Sequence, residues 1–280
     1  MPELPEVEIT RRGMLPLLNQ TVENVVIRNA SMRWPIPAHL PKTLTDQKLV
    51  SLKRRAKYIL ADFECGTLLL HLGMSGRISL LDRNYPPEKH DHFDIEFKDG
   101  RVLRLRDPRR FGAVLWAGLE SNSHALLAPL GTEPLEDTFN AKYLQTQLKT
   151  RSVAIKVAIM DSHLVVGVGN IYASESLFRA HIHPETPAKN LTLKQCEKLV
   201  SEIKLTLNAA LDAGGSSLRD FFGVDGNIGY FQQEYFVYGR TDEPCKVCSK
   251  PIKCIRLGQR STFFCAHCQS LNNLVTRENM

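Results

Sequence analysis

Residues 245–268 read CKVCSKPIKCIRLGQRSTFFCAHC and contain two Cys-x-x-Cys pairs. The pairs are Cys245 with Cys248 and Cys265 with Cys268, and sixteen residues separate them. Two such pairs at this spacing place four thiolates around one tetrahedral ion, for which zinc is the expected metal. Because four protein ligands leave no open coordination position, the sequence predicts one structural Zn²⁺ per chain, which supplies the folding energy of this small segment.

The stretch between the two pairs is predicted to be a rigid hairpin with Arg256 and Arg260 near its tip. An arginine held in this way suits a contact with a phosphate backbone. A solvated arginine on a surface loop explains the same residues equally well. The remaining cysteines, Cys65, Cys196 and Cys254, are most simply interpreted as core or incidental thiols.

Outside this segment the chain has the composition of a globular protein. Its 280 residues are 43% hydrophobic and 24% charged, which excludes a disordered or collagen-like chain and favours two domains. No apolar run approaches the ~20 residues of a membrane helix, and the acidic start MPELPEVEIT has no signal-peptide core. Seven cysteines without a secretion signal favour a reducing compartment, so we expect a cytoplasmic location without membrane association.

The positive charge is modest in total and unevenly distributed. The formal net charge is +6, yet residues 53–57 read KRRAK and residues 101–110 read RVLRLRDPRR. Basic clusters in separate parts of a chain suit a polyanion that spans domains, and nucleic acid is the obvious candidate. The alternative is that these clusters are ordinary solvated faces.

The hydrophobic pattern predicts strands in the first half of the chain and helices in the second half. Residues 129–138, PLGTEPLEDT, have the composition of a linker, and residues 216–230, SSLRDFFGVDGNIGY, have that of a mobile loop. The pattern predicts strands within 22–28, 49–63, 67–81, 93–97, 102–106 and 112–118, and helices at 6–18, 142–149, 153–160, 171–181 and 193–213.

The N-terminus offers a possible nucleophile. Removal of the initiator methionine exposes a secondary amine at Pro2, and an α-amino group with a pKa of about 8 is partly neutral at pH 7. A neutral amine attacks an electrophilic carbon to form an iminium, and Glu3 is placed beside it to move protons. An ordinary helix start, with an early proline and acidic residues in the first turn, explains the same residues.

Seven motifs run in order along nearly the whole chain: PELPEVE (2–8), RRAKY (54–58), HLGMSG (71–76), PPEKHDH (86–92), DPRRFG (107–112), GVGNIYASE (167–175) and GQRSTFFC (258–265). Together they resemble the bacterial formamidopyrimidine-DNA glycosylase family. The resemblance implies an α+β protein with an N-terminal β-sandwich and a long N-terminal helix, a helical helix-two-turn-helix domain and a C-terminal four-cysteine zinc-finger β-hairpin. The implied boundaries are 1–131, 132–215, 216–240 for a lesion-capping loop and connector, 241–272 for the zinc finger and 273–280 for a tail.

The resemblance also implies an activity. The family removes oxidised purines, 8-oxoguanine and formamidopyrimidines, from duplex DNA and then nicks the abasic site by β,δ-elimination. By this resemblance Pro2 is the nucleophile, Glu3 is the acid-base group, Lys57 serves β-elimination and Arg260 serves δ-elimination. Because a guanidinium stays protonated, gripping the departing phosphate is the easier role for Arg260.

Further positions match residues that the family uses to bind DNA. Three of them fill the gap left by the extruded base, although the hydrophobic pattern alone favours a core position for Met74 and Phe111. The loop 216–230 matches the one that closes over the extruded base. The implied DNA-binding residues are Met74, Arg109 and Phe111 in the gap, and His90, Arg151, Lys156 and Asn170, the last at a helix N-terminus suited to phosphate.

Two other functions are compatible with parts of this pattern. The sibling endonuclease VIII excises oxidised pyrimidines by similar chemistry, but PELPEVE and the intact DPRRF string favour the purine enzyme. A non-catalytic damage-binding or zinc-ribbon regulatory protein requires a missing nucleophile, whereas Pro2, Glu3, Lys57 and Arg260 are all present. The expected partner is damaged double-stranded DNA, bound by a monomer.

Overall fold

The computed structural model describes residues 2–215 and 235–271. Its contacts divide the chain into two compact units, Met1–Pro129 with Ala210–Gln232 and Leu130–Ala209 with Gln233–Met280. The loop predicted at 216–230 and the tail at 273–280 lie outside the described residues. Within the described part of the chain, no helix combines the length and the hydrophobicity needed to cross a membrane.

The first unit is built on two antiparallel four-stranded sheets. In the first sheet the strand order is β1-β6-β7-β5, and in the second it is β2-β3-β4-β8. This arrangement confirms the predicted β-sandwich. The strands are β1 (Val22–Ile27), β2 (Leu49–Arg55), β3 (Tyr58–Phe63), β4 (Gly66–His71), β5 (Arg77–Asp82), β6 (Asp91–Phe97), β7 (Arg101–Arg106) and β8 (Ala113–Gly118).

The core of this unit lies between the two sheets. Alternating residues of β6, Phe93, Ile95 and Phe97, meet Leu68 and Leu70 of β4 in one buried cluster. Fully burying a side chain of this kind contributes about 1.5–3 kcal/mol, so period-two alternation selects which face of each strand points inward. Val7 of helix α1 (Leu4–Gly13) joins the same cluster, and a short helix α2 (Leu40–Leu44) follows β1.

Two of the predicted strands are each divided by a turn. The run 49–63 contains β2 and β3, which are joined at Ala56 and Lys57, with Ala56 at φ +54°. The run 67–81 contains β4 and β5, separated by the turn 72–76, in which Gly73 has φ +60°. The apolar pattern continues on both sides of each turn and therefore does not reveal the break. In the first turn a left-handed alanine also takes the place of the glycine or proline that would signal a turn.

The second unit is mainly helical. The predicted helix 193–213 is α6 (Leu193–Asp212), whose residues Cys196, Leu199, Ile203 and Leu207 are all buried at helical spacing. The Gln195 N–H donates to the Thr192 hydroxyl and the Thr192 N–H to the Gln195 side chain, so Thr192 caps the N-terminus of this helix. The other helices of this unit are α3 (Ala141–Leu148), α4 (Ile155–Ile159) and α5 (Asn170–Arg179).

The predicted linker 129–138 is packed against the second unit from Gly131 onward. The Gly131 N–H donates to the Ser162 carbonyl, and the Val166 N–H donates to the Thr132 carbonyl. A Cβ on Gly131 would lie 2.5 Å from the Leu164 carbonyl oxygen. Glycine is present here because the backbone passes too close for a side chain, and not because the segment is a free connector.

The cysteine-bearing segment forms a hairpin of β9 (Lys253–Leu257) and β10 (Arg260–Phe264). Its small apolar cluster contains Val237, Ile252 and Cys265 together with Phe178 of α5. The segment therefore shares its core with a helix of the same unit. Sheets, helices and this hairpin together confirm the α+β class.

Candidate functional site

The start of α1 is buried and closely held. Glu3, at the N-cap, is only 2% exposed, and Pro2 is buried beside it. The Glu3 N–H donates to Glu6 Oε2 at 2.8 Å, and the Glu3 carbonyl accepts from the Val7 N–H at 3.1 Å. Glu6 was not among the predicted site residues, although its spacing of three from the N-cap is the signal of a capping box.

Helix α1 packs on the β2–β3 hairpin, whose turn carries Lys57. Arg11 on the helix donates to the Leu52 carbonyl at 3.1 Å, and Arg54 lies 3.6 Å from the Glu8 carboxylate. The turn itself is braced because Arg54 also donates to the Ala56 carbonyl. These bonds hold helix α1, which directly follows Pro2 and Glu3, against the β2–β3 hairpin, which carries Lys57.

His71 lies at the end of β4 beside this hairpin. Its ring centroid is 4.8 Å from that of Tyr58, and its Nδ1 accepts from the Gly73 N–H at 3.1 Å. Burial, followed by the positive charges of Lys57 and Arg33, lowers the pKa of His71 from the ordinary 6.5 to about 4. A neutral ring is required here, because only unprotonated Nδ1 accepts the Gly73 bond.

His71 should make the protein less stable in mild acid. The unfolded chain takes up a proton on this ring below about pH 6.5, whereas the folded protein resists protonation until about pH 4. The free energy of unfolding should therefore decrease as the pH is lowered from about 6.5 to about 4. The decrease should be less steep in His71→Gln. Urea denaturation at several pH values measures the slope, with the exposed His39→Gln as control. An unchanged slope in His71→Gln would contradict the assignment.

Two loops of the first unit expose the residues expected to fill a gap in DNA. Met74, in the turn 72–76, is half-buried, whereas Arg109 is exposed and Phe111 is 46% exposed. The Arg109 guanidinium lies 4.8 Å above the centre of the Phe111 ring. The core position that the hydrophobic pattern favours for Phe111 is therefore wrong.

His90 lies at the border of the same region. Its side chain is half-buried, its ring centroid is 6.3 Å from that of His92, and its carbonyl accepts from the Asp107 N–H. His90 therefore lies next to the loop that carries Arg109, within the first unit.

In the second unit, Lys156 of α4 connects three elements. Its Nζ lies 2.6 Å from Asn170 Oδ1, 2.8 Å from Thr262 Oγ1 and 3.1 Å from the Ser261 carbonyl oxygen. Asn170 Nδ2 also donates to the Ser261 carbonyl. Because Lys156 is only 1% exposed and its ammonium already has these acceptors, its burial does not favour the direct phosphate contact expected of it.

Arg260 is exposed at the first residue of β10. The preceding Gly258 and Gln259 have φ of +51° and +61°, the values of a two-residue type I′ turn, which matches the twist of the flanking strands. A groove of about 320 Å³ beside this tip is lined by residues of the hairpin and of α4 and its C-terminal end. They are Lys156, Val157, Met160, Asp161, Leu257, Gly258 and Arg260.

Arg151 forms an ion pair in the same unit. Its guanidinium lies 2.6 Å from the Asp161 carboxylate, which also accepts from the His163 N–H. Burial disfavours the charged Asp161, but the hydrogen bonds from His163 and Arg151 outweigh it and lower the Asp161 pKa. Arg151 remains partly exposed and so retains donors for a further acceptor.

The four predicted ligands converge at the base of the hairpin. The Sγ atoms of Cys245 and Cys268 are 3.9 Å apart, those of Cys248 and Cys265 are 3.5 Å apart, and all four lie within 4.8 Å of one another. A tetrahedral ion with Zn–S bonds of about 2.3 Å requires sulfur separations of about 3.8 Å, so the thiols fit zinc. This arrangement confirms the predicted structural Zn²⁺ site.

Removing the metal should loosen the hairpin and leave the β-sandwich intact. The first unit has its own buried cluster, whereas the core around Cys245 and Cys265 is small. After chelation, or in Cys265→Ser, amide hydrogen exchange should rise in β9 and β10 and stay slow in β1–β8. Cd²⁺ or Co²⁺ should restore protection, because a closed four-thiolate site needs only a thiophilic tetrahedral ion. Equal loss of protection in both units would contradict this independence.

Three family descriptions match successive parts of the chain. They are the formamidopyrimidine-DNA glycosylase N-terminal domain at residues 1–114, the formamidopyrimidine-DNA glycosylase H2TH domain at 130–222, and the zinc finger found in FPG and IleRS at 242–271. The formamidopyrimidine-DNA glycosylase of Methylobacillus flagellatus is 67% identical over 96% of both chains. That of Janthinobacterium sp. is 54% identical over 96% of this chain and all of its own.

Solved structures agree with the sequence relatives. The Thermus thermophilus FPG protein has 35% identity and a TM-score of 0.86, with 96% of this chain and 98% of that chain covered. A Lactococcus lactis FPG mutant in complex with a Fapy-dG containing DNA has 32% identity and a TM-score of 0.90, with 96% and 100% covered. Fold, zinc site and matched domains define a DNA repair glycosylase. The chain belongs to the formamidopyrimidine-DNA glycosylase family, as the seven motifs predict.

Proposed function

We propose that this protein is a bifunctional DNA repair glycosylase that removes oxidised purines from duplex DNA and then cuts the strand. The observation that carries the proposal is Pro2 at the start of a buried helix turn, beside a Glu3 whose amide is fixed by Glu6. Support also comes from relatives. Lactococcus lactis FPG structures contain a Fapy-dG containing DNA in one case and an abasic site containing DNA in another.

The proposed reaction uses Pro2 as the nucleophile. Once Met1 is removed, the Pro2 nitrogen bonds to C1′, the glycosidic bond breaks, and its electron pair leaves with the base, which takes up a proton. Glu3 moves protons at the sugar as the ring opens to an iminium. In β-elimination Lys57 accepts the C2′ proton while the 3′ phosphate leaves. In δ-elimination the C4′ proton passes to water, a C4′–C5′ double bond forms and the 5′ phosphate leaves, gripped by Arg260; water then hydrolyses the imine.

The DNA-binding surface is proposed from both units. Met74 and Phe111 take the place of the extruded base and Arg109 hydrogen-bonds the orphaned cytosine, which fits their exposure and the stacked Arg109–Phe111 pair. His90, Arg151 and Asn170 contact the DNA backbone. Lys156 acts as a positioning residue, because its ammonium holds the hairpin that carries Arg260.

The remaining assignments are part of the same proposal. The domain boundaries are 1–131, 132–215, 216–240, 241–272 and 273–280, and the protein works as a monomer on damaged double-stranded DNA of the bacterial nucleoid, in the cytoplasm. The sequence motifs and the similarity to whole relatives support this scheme. Size-exclusion chromatography with light scattering, with and without duplex DNA, tests the monomer.

A second substrate class is oxidised pyrimidines. The observation in its favour is a structure of the Lactococcus lactis FPG with an oxidized pyrimidine containing DNA, at 32% identity to this chain. Excision measured on a panel of duplexes, with 8-oxoguanine, a formamidopyrimidine or an oxidised pyrimidine, separates the two classes. Faster excision of the pyrimidine would assign the protein the specificity of endonuclease VIII.

Pro2→Gly should keep DNA affinity and lose base release by about a hundredfold or more, because a flexible primary amine loses the positioning of the ring nitrogen. Gel-shift binding and release of 8-oxoguanine from a duplex measure the two properties, after intact mass establishes that Met1 is absent. Pro5→Ala, in the same helix turn, is the matched control and should release base normally. Full base release by Pro2→Gly would exclude Pro2 from the mechanism.

DNA binding should weaken steeply with salt. If His90, Arg151 and Arg260 neutralise phosphates, log K should fall with log salt at a slope of several units, at roughly 0.9 per phosphate. Arg260→Gln should reduce the slope by roughly 0.9, the contribution of one phosphate contact. Fluorescence anisotropy between low and physiological salt measures it, and a slope near zero would contradict the phosphate contacts.

A further inference from the structure

Asp107 is a completely buried acid in the middle of an exposed surface region. Its Oδ1 accepts from the Ser75 hydroxyl at 2.6 Å and from the Arg109 N–H at 3.3 Å. Its Oδ2 accepts from the Gly112 N–H at 2.8 Å. Both oxygens are therefore used as acceptors, and the carboxylate joins the turn 72–76 to the loop 107–112.

The backbones of the same two loops also interlock. Gly73 lies so close to the other loop that a Cβ would be 2.3 Å from the Phe111 carbonyl carbon. A Cβ on Gly112 would in turn be 2.7 Å from the His71 carbonyl oxygen. The Arg109 N–H donates to the Ser75 hydroxyl at 3.2 Å as well. Neither loop can therefore move without disturbing the other.

A third set of bonds fixes Asp107 to the sheet. Its N–H donates to the His90 carbonyl at 3.0 Å, and its carbonyl oxygen lies 2.9 Å from Nε2 of the buried His92. The backbone of Asp107 is thus tied to the chain entering β6, while its side chain reaches into both loops.

We propose that Asp107 is a positioning residue that joins the turn 72–76 and the loop 107–112 into one preorganised wedge. The proposal rests on the proposed function, in which Met74, Arg109 and Phe111 enter the space of the extruded base. Unstacking a base already costs free energy, and ordering two independent loops during insertion would add to that cost. The Asp107 carboxylate orders both loops beforehand and so removes this added cost. Its loss should therefore slow the reaction only when the wedge must enter stacked DNA.

The test compares a substrate that requires the wedge with one that does not. The first is an 8-oxoguanine·cytosine duplex, and the second is a single-stranded oligonucleotide with an abasic site, which has no base to extrude and no orphaned partner. Ser75→Ala should slow excision from the duplex about tenfold and Asp107→Asn up to about a hundredfold, because each removes buried hydrogen bonds that join the two loops. Strand cleavage of the abasic oligonucleotide should be unchanged. Ser75→Thr keeps the hydroxyl and should recover duplex activity.

Ser79→Ala on β5 is the matched control, because its hydroxyl takes part in none of these bonds, and it should behave as the wild type on both substrates. Parallel loss on the two substrates in Ser75→Ala and Asp107→Asn, or no loss on either, would overturn the proposal.

Amide hydrogen exchange of the free protein tests the coupling independently of any activity. In Ser75→Ala, exchange should rise in both 72–76 and 107–112. A rise confined to 72–76 would overturn the proposal even if the duplex rate fell. If exchange rises in both loops of Ser75→Ala but the wild type cleaves neither substrate, the proposed function is wrong while the coupling of the loops is confirmed.

Discussion

The hydrogen bond from the Glu3 N–H to the buried Glu6 carboxylate fixes the first residues of the chain. A chain end is normally among the most mobile parts of a protein. Here the end begins a helix whose apolar face enters the sandwich core and whose polar face is bonded to the β2–β3 hairpin. A terminal amine becomes a useful nucleophile only under such a constraint, because covalent catalysis depends on a fixed angle and distance of attack.

The same design recurs where the first unit meets solvent. Its proposed functional residues lie on turns, at Lys57, Met74 and Arg109, and each turn is held by bonds to buried groups. Arg54 braces the first turn, His71 accepts from the second, and Asp107 joins the second to the third. Rigid sheets thus present side chains that a mobile loop could not position.

In the zinc hairpin, polar groups perform the work that an apolar core performs in the first unit. The zinc hairpin has few apolar residues of its own, so the metal and the buried Lys156 ammonium hold it in place. A buried charge is stable only when its donors are satisfied, and the Ser261 carbonyl, Thr262 hydroxyl and Asn170 side chain provide the acceptors. Loss of any of these partners would disturb the position of Arg260, which directly precedes Ser261.

Local signals account for what the sequence predicts well. The paired cysteines predict the metal, alternating apolar residues predict strands in the first half of the chain, and helical spacing predicts α6. Most of what the sequence does not predict depends on contacts between residues that are far apart in the chain. Ala56 turns the chain without glycine, Gly131 packs where a linker is expected, and Lys156 is buried by a hairpin more than a hundred residues away. The role of Asp107 also becomes visible only when both loops are in place.

In the proposed reaction the Pro2 nitrogen forms the covalent bond to damaged DNA. The most direct measurement is borohydride reduction during reaction with an 8-oxoguanine duplex, followed by mass spectrometry of the nuclease-trimmed, proteolysed adduct. The sugar remnant should be attached to the N-terminal peptide, at Pro2. Attachment to Lys57 or another lysine, or excision without a trapped adduct, would contradict it.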